Sequence, residues 1–168
     1  MVHLYFVRHG LSVMNKKGIF SGRTETPLTE EGRQQAIDAG VSLKDIRIDC
    51  MVVSPMQRAV QTAELIAEQI GYPTNKFLFS DLFAERDFGP LEGTRYEEGL
   101  GDQDGVEPID ELIERAREGY KVLQALPSEN ILVVSHGAIG RALRHCNDPS
   151  IPFRPSKGFA NAEVVQLR

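Results

Sequence analysis

Three short apolar runs stop abruptly on polar residues, and this pattern restricts the possible folds more than any other feature of the chain. Leu4 to Val7 runs into Arg8-His9-Gly10, Cys50 to Val53 into Ser54-Pro55, and Ile131 to Val134 into Ser135-His136-Gly137. None of the runs alternates polar with apolar residues. Continuous runs of this length, rich in β-branched and aromatic side chains, read as strands covered on both faces. Helical spacing fills the intervals. Thr29 with Glu30 and Glu31 behind it is a capped helix start, followed by Ala36, Ile37, Gly40, Val41 and Leu43. Ser54-Pro55-Met56-Gln57 predicts a second start, with Ser54 as N-cap and Pro55 at the first helical position. Ala59, Ala63, Ile66 and Ile70 continue it, and Gly71 with Pro73 ends it. Pro108 opens a longer helix through Ile109, Leu112, Ile113, Ala116, Tyr120 and Leu123, and Ile139, Ala142 and Leu143 mark a shorter one. Phe77–Phe79 and Glu163–Leu167 read as further strands, the last at a sheet edge.

Strands alternating with helices predict an α/β fold, a three-layer α/β/α sandwich around a mostly parallel sheet. The length of 168 residues, with 41% hydrophobic and 26% charged, suits one domain over 1–168. The stretch at about 80–107 is poorly periodic and rich in Gly, Asp and Glu, as expected of a short lid or insert. A net charge of −5 argues against nucleic acid as a partner, since phosphate backbones need basic surface. Two cysteines, Cys50 and Cys146, exclude a disulfide framework and a cysteine-rich zinc site, and both read as buried thiols. No apolar stretch is long enough to span a bilayer, so no membrane partner is expected. The N-terminal residues read as a core strand rather than a signal peptide, and a cytoplasmic location is expected. Oligomeric state leaves no signal.

In open α/β sheets the ligand site lies beyond the carboxyl ends of the strands. Arg8, His9, Ser54, Arg58, Ser135 and His136 should therefore converge, joined by carboxylates from the Ser80–Asp104 loop. The histidines have no companions at metal-ligand spacing. Two arginines present planar forks that fit phosphate oxygens, and a histidinium would add a third cation. Helix N-termini after Ser54 and at Gly137 would add backbone N–H groups. A second imidazole beside the phosphate can act as a nucleophile if its cationic neighbours keep it neutral and a backbone carbonyl orients it.

These residues resemble the signature of the histidine phosphatase superfamily, the phosphoglycerate mutase-like proteins. Leu4-Tyr5-Phe6-Val7-Arg8-His9-Gly10, with Ser12 and Asn15, is similar to its first motif. Phe20-Ser21-Gly22-Arg23 and Pro27-Leu28-Thr29 with Gly32 resemble its next block, and Ser54 to Ala63 its second arginine segment. Leu82 to Glu85 with Phe88-Gly89-Pro90-Leu91-Glu92-Gly93 resembles its acid-bearing loop. Ser135-His136-Gly137 matches its second histidine, and Asn161-Ala162 its approach to the last strand.

The resemblance implies a phosphoglycerate mutase-like sandwich with a shortened lid. It makes His9 the nucleophile, with Arg8, Arg58 and His136 clamping the phosphoryl oxygens. Glu85 would be the general acid and then the base. Asn15, Ser21, Gly22 and Gly137 would help hold phosphate or substrate. It implies a small phosphorylated substrate, no cofactor and no metal. His3 and His145 read as ordinary histidines, and Asp87, Glu92, Glu97 and Glu98 as solvated carboxylates. Arg115, Arg117 and Lys121 are expected on the outer face of their helix. With no arginine pair comparable to the mutase lid, hydrolysis is the leading expectation. A cofactor-dependent phosphoglycerate mutase, a phosphohistidine protein phosphatase and a non-catalytic phosphometabolite sensor are the alternatives.

Overall fold

The computed structural model describes residues 2–96, 102–154 and 157–168. Its frame is a sheet of β1 (His3–Arg8), β2 (Cys50–Val53), β3 (Leu78–Phe79), β4 (Asn130–Ser135) and β5 (Val164–Gln166). The strand order is β3-β2-β4-β1-β5. The first four run parallel, and β5 pairs antiparallel with β1 at the edge. The third strand is shorter than the expected Phe77–Phe79, because Phe77 turns into the core while Leu78 and Phe79 are exposed.

Side chains on a strand alternate between faces, and here both faces are covered. Phe6, Val52, Ile131 and Val133 pack on one side with Leu112, Ala116, Ile139 and Leu143. These last come from α4 (Ile109–Ala125) and α5 (Gly137–Asn147). Val7, Met51, Val53 and Val134 pack on the other side with Ala39, Leu43, Ala63 and Ile66. Those come from α2 (Glu30–Ser42) and α3 (Gln57–Ile70). A single turn, α1 (Val13–Lys16), follows β1 and is closed by a capping box between Ser12 and Asn15. The three-layer α/β/α sandwich is therefore as the apolar runs predicted.

Register brings the strand ends level. Arg8 stands opposite Ser135, and Val53 opposite Val134, so the residues leaving β1, β2 and β4 emerge side by side. The ladder continues one step past the strands: the His9 N–H donates to the Ser135 carbonyl at 2.9 Å and the Ser54 N–H to the Val134 carbonyl at 3.0 Å. The loop after β1 lies hard against the start of α2. A Cβ on Gly10 would stand 2.3 Å from the Gly32 carbonyl oxygen, and one on Gly32 2.1 Å from that of Leu11. Only glycine fits at either position.

Two sequence expectations change here. Ser54 does not cap α3. The helix begins at Gln57 with Met56 as its N-cap, while the Ser54 hydroxyl accepts the Met56 N–H at 3.4 Å and meets His136 across the strand ends. Cys50 is buried, whereas Cys146 is half-buried on α5. Among the described residues no helix is long and apolar enough to cross a membrane.

Candidate active site

His9 leaves β1 with every neighbouring backbone group engaged. Its carbonyl accepts the Asn161 side-chain amide at 3.0 Å, and the Ala162 N–H reaches the Arg8 carbonyl at 2.9 Å. The Gly10 N–H donates to Thr62 Oγ1 at 3.0 Å, and that hydroxyl donates to the Arg58 carbonyl at 2.7 Å. The imidazole itself is 3% exposed. Its Nδ1 lies 2.7 Å from the Gly10 carbonyl, which can only accept, so Nδ1 carries the proton. Nε2 is then the lone-pair nitrogen, and it accepts from Arg58 Nε at 3.2 Å. Burial first, then the charges of Arg58 and Arg8, hold His9 well below the usual imidazole pKa. A buried, neutral, oriented imidazole is what a nitrogen nucleophile requires.

Arg58 is fixed by two further bonds, to the carbonyls of Gly22 at 2.7 Å and Thr24 at 3.1 Å. Burial lowers its pKa, and the carboxylates of Glu85 and Glu25 oppose that shift. Arg8 donates through Nη1 to the Phe159 carbonyl at 2.8 Å. The two imidazoles face each other with centroids 5.1 Å apart.

His136 is fully buried, and its Nε2 stands 2.7 Å from Ser54 Oγ. That hydroxyl accepts the Met56 N–H at 3.4 Å and has its own proton to give to Nε2. The ring proton is then on Nδ1, which has no partner among the described residues. Burial, followed by the charge of Arg58, pushes the His136 pKa well below the usual value.

Three buried polar atoms in this region have no partner among the described residues: Arg8 Nε, Ser21 Oγ and His136 Nδ1. Buried groups of this kind are normally satisfied, so a cluster of them marks a place where something polar is received. A cavity of about 40 Å³ lies among Arg8, His9, Asn15, Ser21, Gly22, Arg58, Glu85, Phe88 and Tyr96. It gathers most of the predicted site. Gly137 lines the neighbouring cavity, which shares Arg8, Glu85, Phe88 and Tyr96 with the first.

Glu85 arrives by a different route. The Asp81–Phe83 turn carries it inward, anchored by the buried Phe83 and by the Ser135 hydroxyl donating to the Phe83 carbonyl at 2.5 Å. The Glu85 carboxylate then sits on the N-terminus of α5. Oε2 accepts the Ala138 N–H and Oε1 the Ile139 N–H, both at 3.2 Å, and Oε1 also accepts the Arg86 N–H at 2.8 Å. The Ala138 and Ile139 N–H groups of this helix N-terminus are thus taken by Glu85.

Sequence reasoning passed over the side chains that hold this loop. Arg115 does not face solvent. It pairs with Glu107 at 2.9 Å and donates to the carbonyls of Leu82 at 3.0 Å and Ala84 at 2.8 Å. Its place three residues after Leu112 and four before Gly119 put it beside the inner face of α4, which was the available signal. Arg86 is 2% exposed and donates to the Glu107 carbonyl at 2.8 Å and to Asp102 at 3.0 Å. Arg23 donates to the Glu85 carbonyl at 2.7 Å. Glu92 is not free either, since it accepts from Arg23 N–H and Thr24 Oγ1. Glu97 and Glu98 lie outside the described residues. His145 bonds the Ile151 carbonyl and His3 stands near Gln166, both away from the cavity.

Comparison with known proteins agrees with this geometry. The chain is 37% identical over 151 residues to the uncharacterized phosphatase PhoE of Bacillus subtilis, covering 85% of this chain and 76% of that one. It is 30% identical over 174 residues to the fructose-2,6-bisphosphatase TIGAR B of Danio rerio, covering 98% and 68%. The crystal structure of a phosphoglycerate mutase from Bacillus anthracis superimposes with a TM-score of 0.84 at 26% identity, over 98% of this chain and 86% of that one. A family model matches residues 4–168, and the chain belongs to the histidine phosphatase superfamily, branch 1.

Proposed function

We propose that this protein is a metal-independent phosphomonoesterase that hydrolyses a small phosphorylated metabolite through a phosphohistidine on His9. The observation that carries the reading is a set of buried polar atoms without partners among the described residues: Arg8 Nε and Ser21 Oγ, from residues that line one cavity with a neutral His9, and His136 Nδ1 on the ring next to His9. Arg8 Nε, Ser21 Oγ and His136 Nδ1 each have a proton to donate, and Arg58 stands beside the attacking nitrogen. A phosphoryl group carries the acceptor oxygens that such donors require. Two guanidiniums supply the positive charge that stabilises the in-line transfer.

The steps balance without a further reactant. His9 Nε2 attacks phosphorus as the ester P–O bond breaks, and Glu85 gives its proton to the departing oxygen. In the second half Glu85 takes a proton from water, which attacks the phosphohistidine. Inorganic phosphate leaves and His9 is again neutral. Asn15, Ser21, Gly22 and Gly137 line the space around the transferred group and its ester oxygen.

The test is phosphate release from a panel of phosphomonoesters, with chelator present, by the wild type and by His9→Ala. Release that survives chelation and disappears with His9 is expected. Release that persists in His9→Ala, or isomerisation of phosphoglycerate outrunning phosphate release, contradicts the reading.

A further inference from the structure

Ser54 and His136 are both fully buried, and Ser54 takes no part in the chemistry described above. Sheet register brings the two together. Ser54 leaves β2 with its N–H on the Val134 carbonyl, and His136 follows Ser135 at the end of β4. Ser54 Oγ and His136 Nε2 stand 2.7 Å apart. With its pKa held well below the usual imidazole value, mainly by burial, the ring holds a single proton at neutral pH, on one nitrogen or the other.

The hydrogen bonds decide between the two. A proton on Nε2 would go to Ser54 Oγ. The hydroxyl would then accept twice, from His136 and from the Met56 N–H at 3.4 Å, and its own proton would have no acceptor among the described residues. Nδ1 would be a buried lone pair, which repels phosphoryl oxygens. If Ser54 donates instead, its proton goes to Nε2, it accepts the Met56 N–H, and the hydroxyl is satisfied on both counts. The proton left over is that of Nδ1, which is buried and has no partner among the described residues. Its surroundings are those of the phosphate site. The ring centroid is 5.1 Å from that of His9. Arg8 Nε, likewise without a partner among the described residues, lies against Gly137, the next residue in the chain, 3.6 Å from where a Cβ would stand.

We propose that Ser54 is a positioning residue whose hydroxyl fixes the Nδ1–H tautomer of His136, so that the ring offers a donor and not a lone pair to the transferred phosphoryl group. The inference rests on the phosphomonoesterase reading of the same site and gives a role to a residue behind the phosphoryl pocket. Ser54 touches no reacting atom and acts through His136.

The experiment reads the tautomer directly. Nitrogen–proton correlation spectra of isotope-labelled protein separate a protonated from a bare ring nitrogen, and the peaks missing from His136→Gln assign this ring. In the wild type at neutral pH, a protonated Nδ1 and a bare Nε2 are expected, and the reverse overturns the proposal. Ser54→Ala should show both tautomers in exchange. It should lower kcat/KM for an aryl phosphate about 10- to 100-fold, the range for a buried polar atom left without its partner. Affinity for inorganic phosphate should fall with it. Ser54→Thr keeps the hydroxyl and should restore the wild-type tautomer and most of the rate, which a mere packing role for Ser54 does not predict. An Ala variant that keeps the Nδ1–H form alone, or that mixes the two without loss of rate, overturns the proposal. If Ser54→Ala does not fold, Ser54→Cys, whose thiol is a weaker donor, carries the same comparison. Wild-type protein without turnover, but with the Nδ1–H tautomer and a phosphate affinity that Ser54→Ala weakens, leaves the positioning role standing while the phosphatase reading falls. Turnover through His9 with His136 protonated on Nε2 does the reverse.

Discussion

The site has two halves built by different means. Arg8, His9, Ser54 and His136 sit at the ends of three parallel strands, and sheet register alone brings them together. Glu85 sits on an irregular segment that no ladder fixes. It is held by the N-terminus of α5, by Arg115 and Arg23 gripping the loop carbonyls, and by the Ser135 hydroxyl on the Phe83 carbonyl. His9 and its strand-end neighbours are thus tied to the core, while Glu85 depends on a handful of side-chain bonds. On the proposed reading, a site divided this way can change its leaving group and its substrate by altering one loop, and leave the phosphoryl chemistry intact.

The sharpest way to separate the halves is to remove the acid. Glu85→Gln should lower kcat by about 10²- to 10⁴-fold for alkyl phosphates, the usual range for a general acid. The loss should be far smaller for aryl phosphates, whose leaving oxygen needs no proton. A leaving-group series measured on both proteins checks this. An equal loss on every ester would place Glu85 in binding or folding instead.

A smaller effect is expected from the support of the acid. Arg115→Ala breaks the half-buried pair with Glu107 and frees the carbonyls of Leu82 and Ala84. It should cost about 1–3 kcal/mol of stability, read from urea unfolding. It should also slow alkyl phosphates by roughly 10- to 100-fold through a displaced Glu85. Aryl phosphates should be spared, as with Glu85→Gln. If both classes slow alike, the grip on the loop serves the whole site and the division into halves is wrong.

The weakest effect separates the halves by pH. Both imidazoles in the strand-end half are held well below the ordinary value, mainly by burial. An unfolded histidine titrates at about 6.5. Between the lowered folded values and about 6.5, the unfolded chain binds more protons than the folded one. Stability is therefore fully present above about pH 6.5 and is lost as pH falls below it. Urea midpoints measured from pH 8 to pH 5 should show this fall, and His9→Gln should reduce it. A midpoint that stays level over that range would mean the imidazoles protonate in place.

The same division explains what was legible in the sequence. The strand ends were readable because a buried strand is a continuous apolar run, and the polar residues that stop it must lie at the sheet's carboxyl edge. Arg8, His9, Arg58 and His136 followed from that. Ser54 was misread because a serine before proline has the local chemistry of a helix cap, and only the sheet brings His136 within reach of its hydroxyl. Arg115 went unrecognised because its partners are mostly backbone carbonyls, which carry no sequence signal, and Arg86 because its partners, the Glu107 carbonyl and Asp102, are brought to it only by the folded loop. Glu85 could be chosen among its neighbouring carboxylates by resemblance alone. Nothing periodic in 80–107 distinguishes it from Asp87 or Glu92, and what singles it out is the end of α5 beneath it.

The central claim is that His9 Nε2 carries the phosphoryl group, and trapping it is the most direct test. The wild type should be mixed with a rapidly hydrolysed aryl phosphate labelled on phosphorus, quenched in alkali within milliseconds, and digested. The account predicts an alkali-stable, acid-labile phosphate, at no more than one per chain, on the peptide containing His9, and none in His9→Ala. Turnover with no such adduct, or an adduct on another residue, would contradict it.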